Sequence, residues 1–398
     1  MIVLYFVLMI LCLYFFINLV YLLVFAIAGL FRLPNYHTKS EKKNRIVVII
    51  PAYKDDSVII DTALNAINHD YPKDAFQVVV VGDQLKLETI KLLSELPILF
   101  LNVSFAVSTK AKALKYAVSK LENDYDIAVI LDSDNVMGAG CLDLINSAFE
   151  NGFKLVQLHR TAKNKNTPVA VLDGISEEVN NHIFRKGHRV LGLSSALIGS
   201  GMAVDYSIFV ELLKDPDIAN NPGEDRELYL KLLEKGIICE YIEDGHVYDE
   251  KVQSSYVLQR QRTRWLSAQL QYARLFWIEK PLSTLKANIN YIDYAFQTLL
   301  LPRILLFGLV FISCLLSIFI QVIFHAGIYP IPIILIGLTC LCFFIVVISV
   351  YRKISLFDFL SSLLALPKVF YAISIALVKS KSNKSEFIHT PKEFIDRS

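Results

Sequence analysis

Residues 127–134 read Ile-Ala-Val-Ile-Leu-Asp-Ser-Asp, an apolar run that ends in two aspartates separated by a serine. Two earlier stretches share this form, Ile-Val-Val-Ile-Ile-Pro at 46–51 and Val-Val-Val-Val-Gly-Asp at 78–83. Helix-like stretches at about 57–69 and 110–121 separate them. Apolar β-branched strands that alternate with helices are typical of a parallel sheet covered on both faces. The sequence therefore predicts an α/β domain with a mostly parallel sheet.

Polar side chains follow these runs at the point where each run ends. They are Tyr53 and Asp55, then Asp83, then Asp132 and Asp134. Ligands bind outside the carboxyl ends of strands in such sheets, so we expect these groups around one site. Alternate residues of an extended segment point the same way, and two carboxylates facing one spot favour a cation between them. Oxygen ligands suit Mg²⁺ or Mn²⁺. The alternative is that these aspartates only cap helices or turns, and this applies most to Asp83.

Apolar residues are concentrated near the two ends of the chain. The chain has 398 residues, of which 54% are hydrophobic and 20% charged. Residues 1–31 contain no charged or histidine side chain, and residues 304–351 contain no Asp, Glu, Lys or Arg. Because a spanning helix needs about 20 apolar residues, both segments predict membrane helices. A cleaved signal peptide is the alternative at 1–31, although its apolar core would be only about 7–15 residues long.

The remaining composition excludes several classes of protein. Residues 33–290 leave room for one sizeable domain, which argues against a pure transporter. The formal net charge of +2 gives no support for nucleic-acid binding. The six cysteines have no metal-binding spacing and predict apolar packing in a reducing compartment. Basic residues directly after residue 31 place the following domain in the cytoplasm by the positive-inside rule.

Several motifs, taken in order, resemble those of the membrane-bound family-2 glycosyltransferases, the group that contains cellulose, chitin and hyaluronan synthases and ceramide glucosyltransferase. The resemblance covers about residues 46–270 and a short C-terminal element. The motifs are Pro51-Ala52-Tyr53-Lys54-Asp55 (similar to P-x-Y-N-E), Asp132-Ser133-Asp134 (DxD), Gly199-Ser200-Gly201-Met202 (a glycine loop), Gly223-Glu224-Asp225 (an E-D motif), and Gln261-Arg262-Thr263-Arg264-Trp265 (a complete QxxRW). Lys54, Gly82 and Gly223 depart from the family pattern, which has Asn, Asp and Thr there.

The resemblance implies a GT-A-type nucleotide-sugar-binding fold and a role for each motif residue. The donor contacts would be Tyr53, Asp55, Asp83, Lys110 (with Lys112 as a substitute), Asp132 and Arg264. The metal ligands would be Asp132 and Asp134, holding Mg²⁺ or Mn²⁺. Asp225 would be the general base, and Gln261, Trp265 and Gly201 would contact the acceptor. Phe387 to Lys392 resembles the FxVTxK gating loop with His389 in place of Val, which would make Thr390 and Lys392 donor contacts; a solvated or lipid-facing basic tail is the alternative.

These observations divide the chain into six parts. They are an N-terminal transmembrane anchor at 1–31, a basic linker at 32–45, a cytoplasmic GT-A catalytic domain at 46–254, an interfacial amphipathic region with QxxRW at 255–290, two transmembrane helices at 291–351, and an interfacial or re-entrant helix with a cytoplasmic tail at 352–398. The aromatic residues Trp265, Tyr272 and Phe276 suggest the membrane interface for the helix at 256–277. Packing of that helix on the domain is the alternative.

The resulting hypothesis is an inverting, metal-dependent glycosyltransferase in a bacterial-type inner membrane. It would move a sugar from a nucleotide-diphosphate sugar, with UDP implied by the resemblance, to a growing glycan in polysaccharide synthesis. Transfer of a single sugar to a lipid is an alternative, and so is a catalytically silent nucleotide-binding component of an export complex. The expected partners are the donor, a glycan or lipid acceptor, membrane lipid, and export or polymerisation proteins.

Overall fold

The computed structural model describes residues 2–33, 40–122, 124–219, 223–323, 328–351 and 353–380. An α/β domain lies between the N-terminal helix α1 (Ile2–Ala28) and a group of apolar helices at the C-terminal end. The expected gating loop, with Thr390 and Lys392, falls outside the described residues.

An eight-stranded sheet forms the centre of the described domain. Its strands are β1 (Ile46–Tyr53), β2 (Phe76–Asp83), β3 (Leu99–Val103), β4 (Ile127–Ile130), β5 (Val136–Met137), β6 (Leu155–Ala162), β7 (Met202–Asp205) and β8 (Glu240–Asp249). The spatial order is β3-β2-β1-β4-β7-β6-β8-β5. Strands β3, β2, β1 and β4 are parallel, and so are β6 and β8. Strand β7 runs antiparallel to both of its neighbours, and β5 runs antiparallel to β8. The mostly parallel sheet is confirmed.

Alternate residues of the buried strands face two separate cores. On β1, Val47 and Ile49 belong to one core, whereas Ile46, Val48 and Ile50 belong to the other. The first core also receives α4 (Lys110–Lys120), α8 (Tyr206–Leu212) and α10 (Glu224–Glu234). The second receives α2 (Ile59–Ile67), α3 (Leu87–Ser94) and α5 (Cys141–Glu150). Because helices bury both faces, the strands read as continuous apolar runs instead of alternating patterns.

A long helical segment joins the sheet domain to the apolar helices. It consists of α6 (Pro168–Asn180), a π-helix at Asn181–Gly187 and α7 (His188–Val190). Helix α1 packs so closely on the π-helix that a Cβ at Gly187 would overlap the backbone oxygen of Phe25. His182 Nε2 also lies 2.8 Å from the carbonyl oxygen of Ala26. The end of α1 is therefore held against this helical segment of the α/β domain.

The amphipathic helix with QxxRW is α11 (Ser255–Arg274), followed by a π-helix at Leu275–Glu279. Tyr272 and Phe276 are buried in the first core of the α/β domain. Their aromatic rings therefore contact protein and not lipid, which corrects the reason given for an interfacial location. Leu258 and Leu266, on the same helix, pack against the C-terminal apolar helices. The position of α11 relative to a membrane stays a prediction.

Three described helices are long and apolar enough to cross a membrane: Tyr5–Ala28, Arg303–Ile323 (α14) and Ile331–Val350 (α15). Helices α16 (Leu356–Leu363) and α17 (Leu366–Ser380) meet at an angle of 58° and form a broken span or a re-entrant loop. The sequence places two transmembrane helices at 291–351, but the first of them begins only at Arg303, because α13 (Ile289–Gln297) is a separate helix. The remaining described helices are α9 (Pro216–Ala219) and α12 (Pro281–Lys286).

Candidate active site

An open cleft of about 800 Å³ lies at the carboxyl ends of the parallel strands. Nearly all of the site residues predicted within the described chain line it: Tyr53, Asp55, Asp83, Lys110, Asp132, Asp134, Asp225, Gln261, Arg264 and Trp265. The cleft continues past α6 to apolar side chains at the start of α14 and on α17. One cavity therefore connects the sheet edge with the apolar helices.

Three carboxylates converge at the sheet edge. Asp132, Asp134 and Asp249 each offer an oxygen atom, and these atoms lie within 4.8 Å of one another. The amide nitrogen of buried Asn135 donates to Asp134 at 3.3 Å and to Asp249 at 3.1 Å. A donor set made only of oxygen atoms fits a hard divalent cation. Asp249 ends β8 and was missed from the sequence, although its place at a strand end is the same signal that identified the other two.

Lys110 joins the acidic cluster to the glycine loop. Its Nζ donates to Asp132 Oδ1 at 2.5 Å and to the carbonyl oxygen of Gly199 at 2.5 Å. Lys112 donates instead to the carbonyl oxygen of Val107 at 2.8 Å, and this hydrogen bond is exposed to solvent. Lys110 therefore lines the cleft, whereas its proposed substitute Lys112 does not.

The two acidic residues expected near the nucleotide also line the cleft. Asp55 is buried and accepts a hydrogen bond of 2.6 Å from Ser133, the middle residue of the DxD motif. Asp83 is also buried and accepts from the backbone N–H of Phe105 at 3.2 Å. Gly82 departs from the family pattern for a steric reason, since a Cβ there would lie 2.6 Å from Leu85.

Asp225 lies in the first turn of α10, facing the glycine loop. Its Oδ2 accepts from the backbone N–H of Gly199 at 3.2 Å. The neighbouring Glu224 also lines the cleft. Burial and repulsion from Asp225 raise the pKa of Glu224 to about 7. The cleft thus contains a carboxylate fixed by a backbone N–H beside a second carboxyl group that ionises near neutral pH.

The QxxRW residues line the cleft from α11. The guanidinium of Arg262 lies 4.1 Å from the centroid of the Trp265 ring and also donates to Asp173 at 2.5 Å. One face of the indole is therefore covered by Arg262. Arg264 and Gln261 complete the motif along the same wall.

The comparisons with known proteins agree with this geometry. Residues 44–268 match the family model described as glycosyltransferase like family 2, which covers more than half of the chain. The chain belongs to glycosyltransferase family 2. It is 24% identical over 242 residues to the probable glycosyltransferase YdaM of Bacillus subtilis (strain 168). That match covers 58% of this chain and 57% of the relative, so it spans little more than half of the relative's length.

The fold of this glycosyltransferase has a solved counterpart over nearly its whole length. The mannosyltransferase PcManGT from Pyrobaculum calidifontis, solved in complex with GDP-Man and Mn²⁺, is similar with a TM-score of 0.56 and 15% identity. The similarity covers 95% of this chain and 96% of that one. At this identity the comparison shows a shared fold, which includes the apolar helices as well as the GT-A domain.

One predicted contact of the glycosyltransferase lies elsewhere. Gly201 is not among the residues that line the cleft; its backbone N–H donates to the carbonyl oxygen of Ile130 at 2.8 Å within the sheet. Its φ is +63°, and a Cβ at this position would lie 3.1 Å from the Val247 side chain, so both backbone conformation and space favour glycine here. Gly199, two residues earlier in the same loop, lines the cleft.

A buried network of charged residues lies behind the acidic cluster and was missed from the sequence. Glu177, on α6, accepts from Arg185 at 2.9 Å and from Arg160 at 3.3 Å. Lys251 pairs with Asp249 at 2.8 Å. Burial alone would raise the pKa of Glu177, but Arg160, Lys251 and Arg185 outweigh it and hold this pKa well below the usual value. No motif marks these residues, and the links from Glu177 to Lys251 and from Arg160 to Asp249 join segments far apart in the chain.

Proposed function

We propose that the protein catalyses inverting transfer of a sugar from a nucleotide-diphosphate sugar to a hydroxyl group of a glycan acceptor. The observation that carries this proposal is the convergence of the acidic cluster, Asp225 and the QxxRW motif on one cleft. Membership of family 2 supports sugar transfer. UDP is the carrier implied by the sequence resemblance, and the GDP-Man complex of PcManGT makes GDP the other carrier to test.

The proposed reaction is a single displacement. The acceptor oxygen attacks the anomeric carbon and forms a new bond to it. The bond from that carbon to the phosphate oxygen breaks, and the nucleoside diphosphate leaves. Asp225 takes the proton from the acceptor hydroxyl, which is worth about 10²–10⁴-fold in rate for a general base. The backbone N–H of Gly199 orients the carboxylate for this role.

The acidic cluster supplies the ligands for a divalent cation. Asp132, Asp134 and Asp249 would hold Mg²⁺ or Mn²⁺, which offsets the negative charge that develops on a diphosphate leaving group. Arg264 contributes to the same charge balance, because a guanidinium binds phosphate oxygens in a two-pronged geometry. Lys110 keeps Asp132 in place through its hydrogen bond.

The acceptor is expected to approach from the side of the apolar helices. The cleft there is lined by Leu301, Ile304, Val369 and Ile373. Extension of a polysaccharide is the first candidate function. Because the wall is apolar, transfer of a single sugar to a lipid is the second candidate.

The test is a transfer assay on the purified full-length protein in a nonionic detergent. UDP- and GDP-sugars would be supplied with Mn²⁺ or Mg²⁺ and a membrane-lipid extract, and label would be counted in organic-extractable and high-molecular-weight fractions. Label in high-molecular-weight material supports polymer synthesis, and label in the organic fraction supports a glycolipid product. Nucleotide binding without transfer from any donor would favour the silent-component hypothesis.

The variant Asp225→Asn should lower the transfer rate by at least about 10²-fold while leaving nucleotide binding close to wild type. The exposed Asp217→Asn is the matched control and should behave as wild type. Loss of nucleotide binding in Asp225→Asn would identify Asp225 as a donor contact and contradict its role as the base.

A further inference from the structure

The two tryptophans of the chain are held in different ways. Trp277 packs against the first core, and its indole N–H donates to the carbonyl oxygen of Ala295 at 3.1 Å. Trp265 is half-buried and lines the cleft, and it belongs to none of the apolar clusters that the described residues form. The Trp265 ring therefore lacks the core packing that fixes the Trp277 ring.

Arg262 covers one face of the Trp265 ring. Its guanidinium carbon lies 4.1 Å from the centroid of that ring, which is within the range of a cation–π contact. Residues three apart on a helix share a face, so α11 itself brings the two side chains together. A planar guanidinium can lie flat on an indole, whereas a lysine ammonium is a compact point charge. The contact therefore favours arginine over lysine at position 262.

Asp173 holds Arg262 from a second helix. The carboxylate of Asp173, on α6, accepts a hydrogen bond of 2.5 Å from the Arg262 guanidinium. This ion pair is largely buried, since 10% of the Asp173 side chain and 19% of the Arg262 side chain are exposed. The adjacent Leu172 packs with Leu258 and Leu266 of α11 in one apolar cluster. Because α6 and α11 are packed together, the ion pair keeps the guanidinium at a fixed place over the indole.

We propose that Arg262 and Asp173 are positioning residues. They hold the Trp265 indole so that one face is covered by protein and the other face is presented to the acceptor. All three side chains line the cleft. An arginine side chain has many rotamers, so the carboxylate is needed to keep the guanidinium on the ring. The contact of Trp265 with the acceptor rests on the proposed function, whereas the orientation of the ring does not.

The contacts of Arg262 distinguish it from Arg264, the residue expected at the donor diphosphate. The Arg262 guanidinium already has a carboxylate partner and an aromatic partner. Arg264 is half-buried on the same wall of the cleft and forms no ion pair with a carboxylate of the described residues. Phosphate oxygens are the natural partners of a guanidinium without a carboxylate. We therefore expect Arg264 at the diphosphate and Arg262 behind the Trp265 ring.

The test uses the fluorescence of Trp265 in the full-length protein in a nonionic detergent. Trp277→Phe leaves Trp265 as the single indole of the chain. In this background, Arg262→Lys should raise the acrylamide quenching constant of Trp265 about twofold, because one face of the ring loses its cover. Asp173→Ala should raise it as well, because the guanidinium is no longer held on the ring. Unchanged quenching in Arg262→Lys would overturn the role of Arg262, and unchanged quenching in Asp173→Ala would overturn that of Asp173.

Arg260→Lys is the matched control, since it makes the same substitution at an exposed position of the same helix. It should leave the quenching of Trp265 at the value of the Trp277→Phe protein. Mn²⁺-dependent nucleotide binding should be unchanged in Arg262→Lys and Asp173→Ala, which also shows that both variants are folded. Loss of nucleotide binding in Arg262→Lys, with a melting temperature close to that of the control, would assign this arginine to the donor and overturn the proposal.

The transfer assay separates this role from a purely structural one. With Trp277 retained, Arg262→Lys should raise the half-saturating amount of the membrane-lipid extract roughly fivefold and leave the donor KM unchanged. A purely structural role would change the donor KM as well. Absence of transfer in wild type, with quenching changed as expected in the variants, contradicts only the proposed reaction. Transfer by Arg262→Lys with a wild-type dependence on the extract contradicts only the positioning role.

Discussion

At the scale of single residues, Lys110 occupies a position that helix electrostatics disfavour for a cation. It is the first residue of α4, where the positive end of the helix dipole disfavours a cation. Its hydrogen bonds to Asp132 and to Gly199 offset this cost. Thr109 caps the same helix through the backbone N–H of Lys112. Thr109 therefore fixes the start of α4 at Lys110, and this start places the Lys110 ammonium group in the cleft.

Asp249 provides a first test at this scale. Asp249→Asn removes one of the three carboxylates, so nucleotide binding in the presence of Mn²⁺ should weaken at least about tenfold. Equilibrium binding of a labelled nucleotide across a Mn²⁺ titration measures this. Asp244→Asn, an exposed site on the same strand, serves as the control. An unchanged Mn²⁺ dependence in a folded Asp249→Asn protein would remove Asp249 from the metal ligands.

Glu224 allows a prediction about pH. The pKa of Glu224 is raised from 4.5 to about 7 in the folded protein, chiefly by burial and then by Asp225. Because the folded protein binds this proton more tightly than the unfolded chain does, stability is lost as the pH rises through that range. Glu224→Gln should therefore be more stable than wild type by roughly 3 kcal/mol at about pH 8, and within about 1 kcal/mol of wild type at about pH 5.

Thermal melting with EDTA present would check the Glu224 prediction without interference from a metal. Glu227→Gln, in the same turn of α10, is a suitable comparison. A variant that gained equal stability at both pH values would show that the effect does not arise from ionisation.

The location of a residue on the cleft was predictable from the sequence where the residue belongs to a contiguous motif. The DxD pair, Asp225 and the QxxRW residues all lie on the cleft as expected. Glu177 and Arg185 were not predictable, because their buried ion-pair network is defined by contacts of α6 with β6, with the π-helix and with Lys251 after β8. In the sequence alone, a single charged residue of a buried network cannot be told from a charged residue on the surface.

At the scale of secondary structure elements, apolar runs identified the central strands well. The runs at 46–51 and 78–83 lie within β1 and β2. The antiparallel direction of β7 could not be predicted, since periodicity carries no information on strand direction. The aromatic stripe on α11 suggested a membrane interface, whereas Tyr272 and Phe276 are buried in the first core of the domain. An aromatic stripe has the same helical spacing whether it packs on lipid or on a protein core.

The contact between α1 and the π-helix supplies a test at this scale. Gly187→Ala would place a methyl group on top of the Phe25 carbonyl oxygen, so α1 would have to move. We expect a loss of about 1–3 kcal/mol, the usual cost of overpacking. The melting temperature in detergent measures it. Gly337→Ala is the control, because nothing lies within 4 Å of its Cβ position. Equal stability of the two variants would show that the contact is not close.

At the scale of the whole molecule, three helix ends meet the catalytic domain. The end of α1 contacts His182, the start of α14 contacts Ser176, and Lys353, just after α15, lies 3.5 Å from Glu243. Helices α14 and α15 therefore form a hairpin that leaves the domain and returns to it. The connection near Tyr329 lies at the end of this hairpin away from the domain, and the charge pattern predicts that this turn faces outward.

This topology can be tested by thiol labelling in intact cells. Tyr329→Cys, at a position 69% exposed, should react with a membrane-impermeant thiol reagent from outside. Leu87→Cys, at a position 84% exposed on the catalytic domain, should react only after lysis. Wild type gives the background from the native cysteines. Labelling in the reverse order would place the catalytic domain outside the cell.

The late position of Asp249 in the chain has a consequence for the lifetime of the protein. Strand β8 is the last strand of the described sheet, and its end completes a cluster that Asp132 and Asp134 begin. A cation that needs all three oxygens binds only the fully assembled sheet, and by mass action it shifts the folding equilibrium toward that state. The amount of protein that escapes proteolysis would then increase with the concentrations of metal and nucleotide sugar. A shortage of substrate would therefore lower the abundance of the enzyme as well as its rate.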